Sequence, residues 1–137
     1  MIKAVFFDID GTLLSHKTNS VPASAVRALE MLREKGILTF IATGRHISML
    51  RALLPMEDLR FEGFVSLNGQ YCCNDEGVIY HCPMPKEDVA ALLDCLKSNP
   101  PPCILLEEDQ MYINFHNGLV EKVQAAIRAK MPILGDM

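Results

Sequence analysis

Two aspartates near the N-terminus, Asp8 and Asp10, are spaced so that both could act on one substrate or cation. They follow the apolar run Ala4–Phe7, whose length and whose aromatic and β-branched residues predict a buried strand. If the extended backbone continues for one more step, residues two apart leave the same face of the strand. In an open parallel sheet, ligands bind at this edge, where strands give way to loops.

The next residue, Gly11, allows the chain to turn sharply and brings backbone N–H groups close to an anion. The alternative is an ordinary Asp/Gly turn after a strand. An EF-hand calcium loop does not fit, because the glycine comes two positions too early and a strand rather than a helix precedes it. Other features of the sequence are needed to distinguish an anion-binding site from an ordinary turn.

Composition excludes several classes of protein. The chain has 137 residues, half of them hydrophobic, and a net charge of −4, which gives no electrostatic footprint for nucleic acid or an anionic membrane. The apolar run behind Met1 is cut at Asp8, too short for a signal peptide, and no stretch approaches the roughly 20 apolar residues of a membrane span. We therefore expect neither nucleic acid nor membrane as a partner.

Histidine and cysteine usage favours no metal centre. The cysteines are odd in number and lack C-x-x-C spacing, so we expect them to be reduced and mostly buried in a cytoplasmic protein, rather than metal or redox groups. These residues are Cys72, Cys73, Cys82, Cys95 and Cys103. The four histidines form no pair with ligand spacing, and we interpret each as structural or solvent-facing.

The first half of the chain alternates strands and helices. The pattern predicts strands over 4–7, 37–42 and 64–67, with helices over 22–35 and 47–54 between them. This order is typical of parallel pairing with right-handed crossovers, which brings the C-terminal ends of the strands to one edge of the sheet. Asp8 and Asp10, then Thr43 and Arg45, then Asn68 follow these three ends, so we expect them to converge.

The second half has a different pattern. Segments 70–73 and 78–81 predict a β-hairpin, and Pro83 and Pro85 mark a joint. Beyond it, the pattern predicts helices over 87–97 and 119–130 and an antiparallel pair over 103–106 and 111–115. We therefore predict two domains, a doubly wound α/β portion over 1–82 and an α+β portion over 83–137.

Phosphoryl transfer would use the residues at this edge. A phosphate dianion about 4 Å from Asp8 meets roughly 8 kcal/mol of repulsion at an effective dielectric near 20, so a divalent cation is needed, and Mg²⁺ fits best. Asp10 could then give a proton to the leaving oxygen, provided its surroundings raise its pKa toward neutrality. Thr43, the Gly44 backbone and Arg45 could bind the phosphoryl oxygens or the far side of the substrate. The alternative for Thr-Gly-Arg is the capped start of a helix.

Three segments, Asp8–Thr12, Thr43–Arg45 and Ser66–Gly69, together resemble the motifs of the haloacid dehalogenase superfamily. The chain is most similar to its Cof-type phosphatases, which carry an α/β cap after the third strand, and the resemblance covers essentially the whole chain. It implies a doubly wound parallel, Rossmann-like sheet with an inserted α+β cap, Asp8 as nucleophile, and Asp10 as general acid/base.

The resemblance also implies the ligands of the site. Mg²⁺ would be held by the Asp8 carboxylate and the Asp10 carbonyl, and the substrates would be small phosphorylated metabolites, often sugar phosphates. The predicted phosphate-binding residues are Gly11, Thr12, Thr43, Gly44, Arg45 and Asn68. Arg45, Tyr71, Tyr112 and Asn114 are further candidates for substrate contact, with a structural role as the alternative.

The chain also departs from the family pattern. Family members continue into a second core half with a phosphate-binding lysine and a further acidic metal loop, whereas this sequence ends at Met137 within the expected cap, and Gly135-Asp136 does not match that loop. Sheet and cap are therefore predicted to be incomplete. We expect the first strand to be an exposed apolar edge, so that the chain either self-associates there or is part of a longer protein. A non-catalytic phosphate-ligand or protein-binding module is the alternative to the enzyme.

Overall fold

The computed structural model describes residues 1–18, 20–53, 59–98, 100–108 and 110–135. It divides into two compact units, Met1–Cys82 and Pro83–Met137. The assignment of these units to a catalytic core and a cap stays a prediction.

The first unit is built on a five-stranded mixed sheet. Its strands are β1 (Ala4–Phe7), β2 (Leu38–Ala42), β3 (Gly63–Ser66), β4 (Tyr71–Asn74) and β5 (Gly77–His81), in the spatial order β1-β2-β3-β4-β5. The predicted parallel pairing of the first three strands is confirmed, as is the hairpin of β4 and β5, which continues the sheet in antiparallel orientation. The fold is therefore mixed α/β, and the ends of β1, β2 and β3 lie at one edge.

Two helices connect the parallel strands: α1 (Ala23–Glu34) and α2 (Ile47–Leu53). Pro22 precedes α1 with φ −63°, which suits a helix start, and Gly36 follows it with φ +68°, a conformation that favours glycine. The predicted stop of the second helix at Leu54 and Pro55 lies outside the described residues. The apolar core of this unit consists of Ile9, Leu13, Leu14, Leu29, Ile41, Leu50, Leu59 and Phe61.

Strand β1 is less buried than its sequence predicts. None of its four residues is fully buried, and the Phe6 side chain is 56% exposed while its ring stacks on Phe40 at 4.8 Å between centroids. The prediction of a buried strand is therefore wrong, because β1 pairs only with β2 in the described sheet. The expectation of an exposed apolar edge is confirmed.

The second unit is a small α+β arrangement. Its elements are α3 (Lys86–Leu96), β6 (Ile104–Leu106), β7 (Met111–Ile113), α4 (Gly118–Ile127) and β8 (Ile133–Leu134). The predicted antiparallel pairing of β6 with β7 is confirmed. Helix α4 ends earlier than predicted, since Arg128 adopts a left-handed conformation with φ +54°. The two-residue strand β8, parallel to β7, was too short to predict.

The cysteines are more accessible than predicted. All five are free, but Cys82 and Cys95 are exposed and the other three are only half-buried. The expectation of mostly buried cysteines is wrong because three of them lie in or next to the outer hairpin of the sheet, and Cys95 lies on an exposed face of α3. None of the described helices combines the length and the apolar composition that a membrane crossing requires.

Candidate functional site

The turn after β1 presents the acidic pair to solvent. Ile9 is fully buried in the core, while Asp8 is exposed and Asp10 is half-buried. Four backbone bonds hold the turn: Leu14 N–H and Thr12 N–H donate to the Ile9 carbonyl at 2.8 Å and 3.2 Å, Gly11 N–H donates to the Leu14 carbonyl at 3.0 Å, and Leu13 N–H donates to the Asp8 carbonyl at 3.4 Å. The buried isoleucine thus anchors a tight turn that carries a carboxylate on either side of it.

Gly11 has a different local role from the one predicted. Its φ of +79° requires a residue that tolerates left-handed backbone. Its N–H and that of Thr12 already donate within the turn, so this conformation leaves neither N–H free to bind an anion. Anion binding by Gly11 stays a prediction, and the exposed Thr12 also has a hydroxyl to offer.

The loop after β2 is tied to β3. Thr43 is buried, and its N–H donates to the Val65 carbonyl at 2.9 Å. Its hydroxyl oxygen accepts from the Arg45 N–H at 3.2 Å, which is the turn-capping role expected if Thr-Gly-Arg were purely structural. Because a hydroxyl that accepts through oxygen still has its hydrogen to donate, this bond leaves Thr43 able to bind a phosphoryl oxygen.

Asn68 follows β3 in a short 3₁₀ turn over Leu67–Gly69. Strand β3 ends at Ser66, one residue before its predicted end. Leu67 and Asn68 both have positive φ, 49° and 54°, which is costly for residues other than glycine. Asn68 N–H donates to the Thr43 carbonyl at 3.2 Å, and Leu67 N–H to that of Arg45 at 3.2 Å. These bonds hold the second and third loops side by side.

The Asn68 side chain lies against Gly44. A β-carbon built on Gly44 would lie 3.1 Å from Oδ1 of Asn68 and 3.6 Å from its Nδ2. A β-carbon at this position would therefore require the asparagine amide to shift by a few tenths of an ångström. Glycine in Thr-Gly-Arg thus allows a close contact with Asn68, which no sequence pattern alone specifies.

Arg45 joins the second loop to the first. Its Nε donates to Asp10 Oδ2 at 2.7 Å and its Nη2 to Asp10 Oδ1 at 2.8 Å, a two-pronged ion pair whose side chains are 13% and 38% exposed. The neighbouring charge of Asp8 also favours the protonated guanidinium. The three strand-end loops therefore converge as predicted, through contacts among Asp10, Thr43, Gly44, Arg45 and Asn68.

The ion pair contradicts one expectation about Asp10. The hydrogen bonds from Arg45 hold the pKa of the Asp10 carboxyl below its ordinary value, against a smaller opposing effect of burial. A pKa raised toward neutrality was predicted for a general acid. That prediction is wrong for this arrangement, because sequence spacing could not reveal that Arg45 faces Asp10 rather than the substrate.

His16 is a site residue that the sequence did not single out. A β-carbon on Gly11 would lie 2.8 Å from its Nε2, and, after the larger effect of Arg45, His16 makes a small electrostatic contribution to the lowered pKa of Asp10. Among the substrate-contact candidates, the Asn114 amide instead bonds the backbone of Cys103, Phe115 and Pro101 in the second unit. No motif in the sequence indicates that His16 lies at the site or that Asn114 bonds the backbone.

The donor set fits Mg²⁺. The carboxylate of Asp10 is occupied by Arg45, but no backbone N–H of the described chain donates to its carbonyl oxygen, and Asp8 is exposed. One carboxylate and one carbonyl suit Mg²⁺, which takes few protein ligands and completes its shell with water and phosphate. Within the described ranges there is no cluster of three or more histidine, cysteine or acidic side chains that could hold a metal ion.

Known proteins similar to this chain belong to one family of hydrolases or are named as phosphatases. A family model for haloacid dehalogenase-like hydrolases matches residues 5–132. "Putative phosphatase YkrA" of Bacillus subtilis (strain 168) is 35% identical over 109 residues, covering 80% of this chain and 41% of that protein. The HMP-PP phosphatase of Yersinia pestis (strain Pestoides F) is 34% identical over 97 residues, covering 68% of this chain and 34% of that protein.

Solved structures agree with these relatives. The phosphatase BT1666 of Bacteroides thetaiotaomicron superposes with a TM-score of 0.82 at 29% identity, covering 99% of this chain and 50% of that one. The subclass IIB sugar phosphatase BT4131 superposes with a TM-score of 0.81 at 36% identity, covering 97% of this chain and 52% of that one. The chain thus spans about half the length of these structures and less than half of the two curated relatives. By its motifs, its fold and the match over residues 5–132, the chain belongs to the haloacid dehalogenase-like hydrolase family.

Proposed function

We propose that this chain supplies the nucleophile and the phosphate-binding loops of a Mg²⁺-dependent phosphatase for small phosphorylated metabolites. The observation that carries the proposal is the convergence of the three strand-end loops beside the exposed Asp8, with Arg45 bonded to Asp10 across 35 residues of sequence. The phosphatases among its relatives support the reaction class. A sugar-phosphate-like substrate follows from its similarity to the sugar phosphatase.

The chemistry assigns one role to each carboxylate. An oxygen of Asp8 attacks phosphorus, the bond to the leaving oxygen breaks, and Asp10 gives that oxygen its proton, which leaves a phosphoryl group on Asp8. Water then attacks the phosphorus and releases phosphate, while Asp10 accepts the proton of the water. Mg²⁺, held by the Asp8 carboxylate and the Asp10 carbonyl, would offset the negative charge that the two anions bring together.

Arg45 has to release Asp10 before this proton can be given. While both guanidinium nitrogens bond the carboxylate, Asp10 stays ionised at neutral pH and has no proton to donate. An arriving phosphate offers the guanidinium a second anion of matching geometry. Movement of Arg45 from Asp10 to the phosphate would therefore bind the substrate and free the Asp10 carboxylate, which would then take up a proton from water before it acts as general acid.

The remaining loop residues bind the phosphoryl oxygens. Thr43 offers its hydroxyl hydrogen, Gly44 its backbone N–H, and Asn68 the amide that packs on Gly44. Thr12 contributes a hydroxyl, and Gly11 shapes the turn that holds it. These are hydrogen-bond donors aimed at a region of growing negative charge, which is the arrangement that lowers the barrier of phosphoryl transfer.

The whole protein completes the site. We assign 1–82 to the first half of the catalytic core and 83–137 to the beginning of the cap, and we expect a lysine and further acidic residues from the remainder. Composition favours a cytoplasmic protein without nucleic acid or membrane as partner.

The exposed side chain of Phe6 on β1 favours self-association of the chain. Light scattering tests this: wild type should form a larger species that Phe6→Lys lacks.

A second candidate function is a phosphate-binding module without turnover. The locked Asp10–Arg45 pair favours it, because this form of the site holds an anion-binding group but no proton donor. Binding of beryllofluoride with Mg²⁺ would then raise the melting temperature, while no phosphate is released from an ester.

Phosphate release from p-nitrophenyl phosphate tests the enzyme. We expect release that depends on MgCl₂ and that falls by about 1000-fold or more in Asp8→Asn, since loss of a nucleophile removes the covalent route. Asp75→Asn, a matched change of an exposed aspartate in the β4–β5 turn, should leave the rate unchanged. Equal rates in wild type and Asp8→Asn would remove Asp8 from the mechanism, and anion binding without release would favour the module.

A further inference from the structure

The imidazole of His16 covers Gly11 in the turn that carries the acidic pair. A β-carbon built on Gly11 would meet His16 Nε2 at 2.8 Å, Cδ2 at 3.2 Å and Cε1 at 3.8 Å, so the ring edge that carries Nε2 faces the glycine. Such closeness is possible only because Gly11 has no side chain. The histidine therefore occupies the space directly beside the Asp8–Thr12 motif.

The segment around His16 is closed into a turn by its own bonds. Ser15 N–H donates to the Ser20 carbonyl at 3.1 Å, and the Ser15 hydroxyl oxygen accepts from the N–H groups of Lys17 at 3.2 Å and Thr18 at 3.4 Å. Serine side chains commonly stabilise turns in this way. Because the turn is closed on itself, His16 is held over Gly11 while its side chain stays exposed.

Side chains from two loops lie next to the Asp8–Thr12 motif. Arg45 reaches Asp10 from the loop after β2, with two hydrogen bonds. His16 lies over Gly11, the residue that follows Asp10. Both side chains carry N–H groups of the kind that donate to an anion.

We propose that His16 is a substrate-binding residue that donates a hydrogen bond from its imidazole to an oxyanion of the bound phosphorylated substrate. This inference rests on the proposed function and adds to it a ligand contact from a residue that lies outside the three strand-end motifs, four positions after Thr12. A ring that only shields Gly11 would instead leave phosphate binding unchanged when it is removed.

Orthophosphate is the probe, titrated calorimetrically into the 137-residue chain with MgCl₂ present. We expect His16→Ala to weaken phosphate binding by about 5- to 20-fold, the usual effect of one hydrogen bond to a charged group that is partly open to water. His16→Gln, which keeps a donor, should recover part of the loss. Lys17→Ala, an exposed cation in the same turn, should change binding by less than about twofold, since a general loss of positive charge is a small effect.

A second measurement separates ligand contact from local structure. The side-chain nitrogen resonances of His16 should shift when phosphate is added to wild type, and those of the exposed His116 in the second unit should not. For p-nitrophenyl phosphate, we expect His16→Ala to raise KM with little change in kcat, because a binding contact acts before the chemical step.

The outcomes distinguish the two proposals. Wild type that binds phosphate and releases it from the ester while His16→Ala matches it within about twofold would overturn the role of His16 and leave the proposed function intact. An equal loss in His16→Ala and Lys17→Ala would also overturn it, in favour of general electrostatics. If wild type binds no phosphate in the presence of MgCl₂, both proposals fail.

Discussion

The two units use polar side chains in opposite ways. In the first unit, Asp10, Arg45 and Asn68 connect loops that lie far apart in the sequence, and Asp8 stays exposed beside them. In the second unit, Asn114 bonds the backbone around β6 and β7, and Asn117 caps α4 by accepting from two N–H groups of its first turn.

This difference separates a site from a scaffold. The Asn114 amide is used up by its own backbone contacts, so it has little capacity for a ligand. The connections between loops in the first unit instead leave charged groups partly open to water, since Asp10 retains 38% of its side-chain exposure. Polar groups that join separate loops and remain accessible are therefore better indicators of function than polar groups that satisfy a nearby turn.

The largest effect on stability should come from Asn114→Ala. Removal of the amide leaves the N–H groups of Cys103 and Phe115 and the carbonyl of Pro101 without their partner, which should cost about 2–3 kcal/mol of unfolding free energy. Urea denaturation followed by amide exchange at β6 and β7 measures it. Asn117→Ala, the loss of one helix cap, should cost only about 1 kcal/mol. A loss of unfolding free energy below about 0.5 kcal/mol for Asn114→Ala would mean that water replaces these bonds.

Convergence of the three loops could be predicted from the sequence because it depends on strand direction alone. The alternating strands and helices indicate parallel pairing, and parallel pairing brings Asp8, Thr43 and Asn68 to one edge. The second unit offered no such rule, since antiparallel strands have ends at both edges. The sequence therefore kept Asn114 as a candidate for substrate contact, with a structural role favoured, and the structure agrees with the structural role.

The fine structure of the site could not be predicted, because it depends on contacts between side chains far apart in sequence. The Arg45 fork on Asp10 reverses the expected pKa shift, and the ring of His16 over Gly11 follows from a turn that no motif describes. Strand β1 gave two conflicting predictions: its apolar residues favoured burial, whereas the resemblance to the family placed it at an exposed edge, and the sheet order agrees with the second.

A methyl group added to a glycine should weaken phosphate binding in the first unit, at Gly44, and not in the second unit. The new β-carbon of Gly44→Ala would lie 3.1 Å from Asn68 Oδ1, so the amide has to move by a few tenths of an ångström. We expect phosphate binding, measured by calorimetry with MgCl₂, to weaken by about 3- to 10-fold, the range for disturbing one hydrogen-bond donor.

Gly118→Ala is the matched control in the second unit. Beyond its chain neighbours and the backbone of its own helix, no atom of the described residues lies within 4 Å of its added β-carbon. The residue is in the first turn of α4, so the change should stabilise the helix by up to about 1 kcal/mol and leave phosphate binding unchanged. Equal effects of the two substitutions on binding would show that Asn68 is not part of the phosphate site.

The smallest expected effect concerns two ion pairs of equal length. Arg45–Asp10 in the first unit and Lys97–Asp94 in the second both have an N–O distance of 2.7 Å, but the second pair is 74% and 72% exposed. Because Arg45 lowers the pKa of Asp10 in the folded chain, the pair stabilises the fold above the unfolded pKa of about 3.9, and this contribution is lost as pH falls through the lower folded pKa.

Arg45→Gln should therefore reduce the unfolding free energy at pH 7 by less than about 1 kcal/mol, a value limited by the exposure of Asp10. As pH falls below about 3.9, the gap between wild type and Arg45→Gln should narrow, and it should close once pH is below the lower folded pKa, where Asp10 is protonated in both the folded and the unfolded chain. Lys97→Gln should show no measurable difference from wild type in unfolding free energy at either pH, since both members of the Lys97–Asp94 pair are solvated. A gap for Arg45→Gln of the same size at pH 3 and pH 7 would mean that Arg45 stabilises the unit through its packing, and that its charge on Asp10 contributes nothing to the fold.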